Sequence, residues 1–153
     1  MRSVTAKVIG SVLGIGFLPF APGTVASLAA ALLYFFVPAL EETRVMAPLI
    51  VVVLALGVWS GSMMEREYGK DPSSVVIDEV AGQWIALFAL SRQPFVVLLS
   101  FVLFRVFDIL KPGPVDRAQQ LRNGYGVMAD DVLAGLFANL TLRLLLFAAG
   151  LLP

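Results

Sequence analysis

Apolar residues fall into five long stretches, and most of the charged residues lie in the short segments between them. The stretches cover residues 24–40, 46–64, 76–90, 94–110 and 128–152. A helix needs about 20 residues to cross a hydrocarbon core of roughly 30 Å, so the third and fourth stretches are expected to lie slightly submerged, with their polar ends at the interface or in a protein-lined cavity. The pattern predicts an all-α fold, a polytopic membrane bundle of about five membrane helices.

The first apolar residues do not form a continuous run. They are interrupted at Gly14, Gly16, Pro19, Pro22 and Gly23, whereas a signal peptide has an unbroken hydrophobic region. Residues 8–20 are therefore predicted to form an interfacial or re-entrant segment, because irregular backbone at membrane depth must be covered by protein.

Composition supports a membrane protein and narrows the possible chemistry. Of 153 residues, 59% are hydrophobic and 14% are charged, against roughly 45–50% and about 25% in soluble domains. The length predicts a single domain over residues 1–153, and zero formal net charge gives no global field that would attract nucleic acid. The chain has neither Cys nor His, which excludes disulfides, thiol and imidazole catalysis, haem ligation and the usual zinc sites.

The charged residues predict an orientation. If the N-terminus is cytoplasmic and five spans alternate, Arg44 and Arg92 face outward, Arg105 lies just inside the end of its span, and Arg143 lies within the last span, where it is expected to snorkel or pair. The other basic residues fall on the cytoplasmic side: Arg2, Lys7, Arg66, Lys70, Lys111, Arg117 and Arg122. The same alternation gathers six acids at that face: Asp71, Asp78, Glu79, Asp108, Asp130 and Asp131.

Two acidic pairs stand at the predicted starts of apolar helices. "IDEVAG" (77–82) and "DDVLAG" (130–135) each place adjacent acids before an Ala-Gly step. Acids in a first turn suit the positive end of the helix dipole, and Gly82 and Gly135 would let neighbouring helices approach closely. A divalent cation with oxygen ligands would relieve the repulsion between the pairs. The alternative is that each pair only caps its helix.

The segment "FRVFDILK" (104–111) sets Arg105, Asp108 and Lys111 on one helix face at the predicted membrane edge. A local ladder of i,i+3 ion pairs would explain the spacing, although it would contribute only about 0.2–0.5 kcal/mol per pair. The ladder does not explain why the three charges lie where the helix ends. Binding of an anionic phosphate and its metal at the headgroup level would explain this position.

The segment "FLPFAPGTVASL" (17–28) predicts a helix start. Pro22-Gly23 breaks the chain, Thr24 is expected to be the N-cap, and the amides of the next turn form an anion site with the Thr24 and Ser27 hydroxyls on nearly the same face. Plain capping is the alternative. Taken together, the carboxylates, cations and helix N-terminus favour phosphoryl transfer or phosphate-ester hydrolysis at the membrane surface, with Arg105 and Lys111 neutralising phosphate charge.

Four motifs in order resemble the phosphatidylglycerophosphatase A family. They are "FLPFAPGTVASLAA" (17–30), "DPSSVVIDEVAGQW" (71–84), "FVLFRVFDILKPGPV" (101–115) and "GVMADDVLAG" (126–135). The resemblance implies a small membrane phosphatase that hydrolyses phosphatidylglycerophosphate to phosphatidylglycerol and phosphate, dependent on Mg²⁺, in glycerophospholipid biosynthesis. Ala26 stands where the family commonly has Gly and Gly113 where it often has Trp, and these departures concern the fit of the substrate.

The resemblance also implies roles for individual residues. Arg105 and Lys111 are expected to clamp the phosphate, and Thr24, Ser27 and the amides after Gly23 to bind its remaining oxygens. The expected ligands of one or two Mg²⁺ are Glu79, Asp108, Asp130 and Asp131, with Asp78 as a further ligand or as the base. The implied location is a bacterial cytoplasmic (inner) membrane, multi-pass, with the active site facing the cytoplasm and a phospholipid substrate in the bilayer. Oligomeric state is left open.

Other membrane proteins fit the sequence less well. The long Asp-rich signature of CDP-alcohol phosphotransferases is missing, type-2 phosphatidic acid phosphatases need catalytic His, and haloacid-dehalogenase-type phosphatases need an Asp-x-Asp motif that does not occur. A different lipid phosphoryl-transfer enzyme remains an alternative. A non-enzymatic cation channel or transporter subunit is another, and it predicts acids spread through the depth of the membrane.

Overall fold

The computed structural model describes residues 3–70, 72–118, 120–121 and 123–151. Within these ranges the regular structure is helical, with no β-strand, and the prediction of an all-α fold is confirmed. The α-helices are α1 (Val4–Gly10), α2 (Pro22–Phe36), α3 (Thr43–Tyr68), α4 (Ile77–Leu87), α5 (Pro94–Leu110), α6 (Pro114–Ala118) and α7 (Tyr125–Ala148). Arg2, Asp71 and Arg122, which the orientation argument placed on the cytoplasmic side, lie outside the described residues.

The short helix α4 forms the centre of the bundle. Nine of its eleven residues are buried, and it packs against α2, α3, α5 and, most extensively, α7. Gly82 and Gly135 lie at the crossing of α4 and α7: a Cβ on Gly135 would collide with the Gly82 carbonyl oxygen, and a Cβ on Gly82 would meet the Phe104 ring. The predicted close approach at these two glycines is confirmed.

Among the described residues, two helices are long and apolar enough to cross a membrane. They are α3 and α7, with 26 and 24 residues. The helices α2, α4 and α5 have 15, 11 and 17 residues, and eleven residues extend only about 16 Å at 1.5 Å per residue. All five predicted stretches are helical, but the number of membrane spans stays a prediction.

The segment predicted to be re-entrant or interfacial folds back against the bundle. After α1 the chain turns through left-handed Val12, Leu13 and Gly14 and continues as a 3₁₀ turn, Ile15–Phe17. The Val76 amide donates to the Gly10 carbonyl at 2.8 Å, which joins this segment to the start of α4. Its placement relative to a membrane stays a prediction.

A group of basic side chains lies at the C-terminal end of α4. Arg92 pairs with Glu41 at 2.9 Å, and Arg143 donates from Nη2 to the carbonyls of Phe88 and Ala89 and from Nε to Asn139. Arg143 was predicted to snorkel or pair. Its guanidinium binds backbone carbonyl oxygens just after the end of α4 and not an acid.

Candidate active site

A polar cleft opens where the N-terminal ends of α2 and α4 meet the C-terminal end of α5 and the second turn of α7. Its volume is about 460 Å³. The described lining includes nine of the residues that the sequence singled out: Gly23, Thr24, Asp78, Glu79, Arg105, Asp108, Lys111, Asp130 and Asp131. The predicted convergence of acids is therefore confirmed for five of the six, and the cleft holds more carboxylates than cations.

Arg105 joins two of the acids. Its Nη1 donates to the Glu79 carboxylate and lies 2.9 Å from Oδ2 of Asp108. The three side chains are only 12–15% exposed. Separating such a pair would leave a poorly solvated charge, which typically costs about 3–5 kcal/mol. Arg105 thereby links α4 and α5 at the cleft, because its guanidinium pairs with Glu79 on α4 and with Asp108 on its own helix.

Lys111 does not pair with Asp108 as the predicted ladder requires, but with an acid on α7. Its backbone is left-handed, with φ of 43°, and it ends α5, so its Nζ donates to Oδ2 of Asp130 at 2.7 Å. Burial alone would lower the pKa of Lys111, but the hydrogen bond to Asp130 and the neighbouring carboxylates raise it overall. Lys111 is therefore cationic at neutral pH, and the ladder is correct only for Arg105 and Asp108.

Asp131 is the most enclosed carboxylate among the described acids of the cleft, with 3% exposure. Its Oδ2 is buried and has no hydrogen-bond partner, although its backbone amide donates to Oδ1 of Asp130 at 3.1 Å. The prediction that this acidic pair occupies a first turn is wrong, because α7 begins at Tyr125. The helix dipole acts mainly within the first turn, so it does not compensate this pair.

The α2 helix begins two residues before the predicted N-cap. Ala21, with left-handed φ of 42°, is the N-cap, and Pro22 follows at the first helical position. A proline is tolerated there because an N–H at that position would have no acceptor within the helix. Thr24 is therefore not the N-cap but lies in the first turn, lining the cleft. Gly23 packs directly on Glu79, since a Cβ there would collide with the carboxylate.

Ser27 is not brought to the cleft. It is fully buried, and its Oγ donates to the Gly23 carbonyl at 2.9 Å. A hydroxyl bonded back to its own helix has no free donor for a ligand. The expected role of Ser27 in binding phosphate is therefore not supported by its position.

The carboxylates form no ready-made metal shell. Among the described residues no group of three or more acids is arranged to hold a metal ion, because Glu79, Asp108 and Asp130 turn toward Arg105 and Lys111. The donors are nevertheless the hard oxygens that Mg²⁺ prefers, and the unpartnered Oδ2 of Asp131 leaves one acceptor for a cation. The residues fit Mg²⁺ by chemistry, provided that the ion pairs rearrange.

Two polar groups in or near the site were missed. Ser73 lines the cleft. Gln83 does not line it but lies one turn after Glu79, fully buried, and donates from Nε2 to Ser100 Oγ at 3.3 Å. A polar residue four positions after Glu79 in an apolar stretch was a signal for Gln83. Ser73 carries no comparable signal, because its position depends on how the segment before α4 folds back.

Known proteins resemble this chain over most of its length. The family model described as Phosphatidylglycerophosphatase A matches residues 8–146. A putative phosphatidylinositol-3-phosphatase from Bacteroides thetaiotaomicron is 40% identical over 93% of this chain and 94% of its own. Proteins named phosphatidylglycerophosphatase A from Haemophilus influenzae and Escherichia coli are 36% and 33% identical, each over 82% of this chain, covering 78% and 74% of theirs. No solved structure matches. The cleft thus lies within the matched region, and the chain belongs to the phosphatidylglycerophosphatase A family.

Proposed function

We propose that this protein hydrolyses the phosphate monoester of phosphatidylglycerophosphate, releasing phosphatidylglycerol and inorganic phosphate. The observation that carries the proposal is the meeting of five carboxylates with Arg105 and Lys111 in one cleft. Membership of the family supports the reaction, as do the names of the relatives from Haemophilus influenzae and Escherichia coli.

The two cations of the cleft would bind the phosphate. Arg105 offers a planar guanidinium and Lys111 a charged amine, and both can exchange a carboxylate partner for phosphate oxygens. Gly23 and Thr24, in the first turn of α2, line the same cleft, and the amides of a first helical turn have no acceptor within the helix. These groups would also stabilise the charge that develops on the phosphoryl oxygens.

The acids are proposed to hold Mg²⁺. Glu79, Asp108, Asp130 and Asp131 are the proposed ligands, supported by their shared cleft and by the unpartnered oxygen of Asp131. When bound, Mg²⁺ would supply Lewis-acid stabilisation of the phosphoryl group and offset the excess of carboxylates. The geometry of such a centre would form only as the pairs with Arg105 and Lys111 open.

Asp78 is proposed as a further ligand or as the general base. It lies in the first turn of α4 and its Oδ1 accepts from the Glu79 amide at 3.0 Å. As base it would accept a proton while the oxygen of water bonds to phosphorus. The bond between phosphorus and the glycerol oxygen then breaks, and that oxygen takes up a proton to leave as the alcohol.

The proposed setting is a multi-pass protein of a bacterial cytoplasmic membrane in the pathway of glycerophospholipid synthesis. Two helices of sufficient length and apolarity support a membrane location. The gathering of acids at one end of the bundle supports an interfacial site better than a cation channel, whose acids would line a path through the membrane. A cleft facing the cytoplasm is part of the proposal.

A second substrate class has its own observation. The Bacteroides thetaiotaomicron relative bears the name putative phosphatidylinositol-3-phosphatase, so a phosphoinositide monoester is the second candidate. Both candidates present a phosphomonoester on a phospholipid headgroup, and they differ in the size and hydroxyl pattern of the alcohol.

Phosphate release from purified protein tests the proposal. In detergent micelles with Mg²⁺, we expect inorganic phosphate from phosphatidylglycerophosphate faster than from phosphatidylinositol 3-phosphate. We expect EDTA to abolish release and added Mg²⁺ to restore it. The matched Asp131→Asn protein controls for contaminating phosphatases. Release that persists in EDTA would contradict the metal, and ion flux in proteoliposomes without any phosphate release would favour a channel instead.

A further inference from the structure

An apolar groove lies between α2 and α5 on the outer face of the bundle. Its volume is about 220 Å³. The floor is formed by Ala31 and Val97, which are buried, and the walls include Leu28, Leu32 and Leu98, which are 43%, 45% and 64% exposed. Ala31 contributes only a methyl group, so the base of the groove lies below the larger side chains on either side. The groove is therefore concave and not simply an apolar surface.

On α2, the groove and the cleft share one helix face. Thr24 lines the cleft, while Leu28, Ala31 and Phe35 line the groove, and the spacings of 4, 7 and 11 residues from Thr24 place all four on one side of a helix. The groove therefore begins about 6 Å from the cleft, one turn along α2.

On α5, the same arrangement runs in the opposite chain direction. Asp108 and Arg105 line the cleft, while Phe101, Leu98 and Pro94 line the groove. Their spacing of three or four residues keeps them on one face. Both facing stripes are thus polar at the cleft end, with charges on α5 and a hydroxyl on α2, and apolar over the remaining length, which is the polarity of a phospholipid.

We propose that this groove holds one acyl chain of the phospholipid whose phosphate occupies the cleft. The inference rests on the proposed function and adds a subsite to it. A chain that moves from bilayer to groove leaves surroundings as apolar as those it enters, so little hydrophobic free energy is gained. The groove acts by orientation: a seated chain fixes the depth and direction of the headgroup, and small misplacements of a reacting group are costly in rate.

Two adjacent leucines provide a matched test. Leu32 lines the groove and Leu33 does not, although both lie on α2 with 45% and 48% exposure. We expect Leu32→Trp to fill the groove and lower kcat for diacyl phosphatidylglycerophosphate by about tenfold. Hydrolysis of the deacylated headgroup by Leu32→Trp should be unchanged, and Leu33→Trp should match the wild type on both substrates. Equal kcat values of the two variants on the diacyl substrate would overturn the proposal that the groove holds an acyl chain.

Photolabelling of the wild-type protein gives a second readout that does not depend on a variant's folding. With phosphatidylglycerophosphate carrying a diazirine on one acyl chain, we expect labels at Leu98 and Phe101 that unlabelled substrate competes away. Uniform labelling that includes Leu33 and the exposed Leu144 on α7 would show contact with bulk lipid only and overturn the inference. Failure of the wild type to release phosphate from any phospholipid would instead overturn the proposed function, and the groove with it.

Discussion

Two adjacent acids of the cleft, Asp130 and Asp131, differ in the partners of their carboxylates. Asp130 is nearly as buried as Asp131 but has Lys111 as partner, whereas Oδ2 of Asp131 has no hydrogen-bond partner. An ionised carboxylate in such a place typically costs several kcal/mol of stability. A bound hard cation would offset this cost, which is a further argument for the proposed Mg²⁺.

Replacing Asp131 by Asn should separate function from stability. The amide keeps the shape but removes the charge, so we expect phosphate release to fall by roughly 10²–10³-fold, as for the loss of one electrostatic catalytic group. The melting temperature should be unchanged or slightly higher, because a poorly solvated charge is removed. Asp116→Asn, an exposed change on α6, is the control. Near-normal turnover of the folded Asp131→Asn protein would contradict a role for Asp131 in the proposed metal site.

At the scale of elements, the crossing of α4 and α7 assembles the acids. Glu79 precedes Gly82 by three residues, and Asp131 precedes Gly135 by four. The first turn of α4 and the second turn of α7 lie at the cleft, so each acid stands about one turn before the crossing. The absence of Cβ atoms at the two glycines therefore sets the separation of carboxylates that lie 52 positions apart in the sequence.

Adding one methyl group at the crossing should push these helices apart. In Gly82→Ala, the new Cβ would meet the Phe104 ring and lie 2.8 Å from the Asp131 carbonyl oxygen. We expect the free energy of unfolding to fall by about 1–3 kcal/mol and phosphate release to fall with it. Thermal denaturation followed by circular dichroism, together with phosphate release, would measure both effects.

Gly61→Ala is the matched control for this change. Gly61 is also a buried helical glycine, but a Cβ there would lie 3.5 Å from the Gly124 Cα, which is ordinary contact. We expect Gly61→Ala to be neutral or stabilising, because Ala favours a helix by about 1 kcal/mol relative to Gly. Equal melting temperatures for the two variants would contradict the importance of the crossing.

At the scale of the whole molecule, charge is divided between two ends of an apolar bundle. The cleft end carries Arg105 and Lys111 with their acids, whereas Arg44 and Arg92 lie at the other end, near Glu41 and Glu42. The α3 helix, which starts beside Arg44, has 26 residues and extends about 39 Å. The two ends are thus far enough apart to face opposite sides of a bilayer.

Introduced cysteines can test this division because the chain has none of its own. We expect Asp116→Cys, next to the cleft end, to react with a membrane-impermeant maleimide only from the cytoplasmic side. Arg44→Cys should react only from the outer side, and the cysteine-free parent should not react. Both sites are exposed. Reaction of both from one side would contradict a bundle that spans the membrane with its cleft toward the cytoplasm.

The sequence by itself determined which parts of the chain are helical and where the charges lie along them. Apolar stretches and their polar ends are local properties, so the five stretches, the acidic pairs and the family motifs could be predicted without coordinates. The N-cap of α2 was misplaced by three residues, and the acidic pair of α7 was wrongly assigned to a first turn, because the bounds of helices depend on turns as well as on apolar runs.

Only the tertiary structure decided which charges meet. Lys111 could continue a ladder on its own helix or reach another one, and its left-handed backbone together with the position of α7 brings it to Asp130. Ser27 could face a ligand or its own backbone, and packing of α2 encloses it. Which partner such a side chain binds depends on contacts between residues that are distant in the chain. The free energies of these contacts cannot be read from a local sequence pattern.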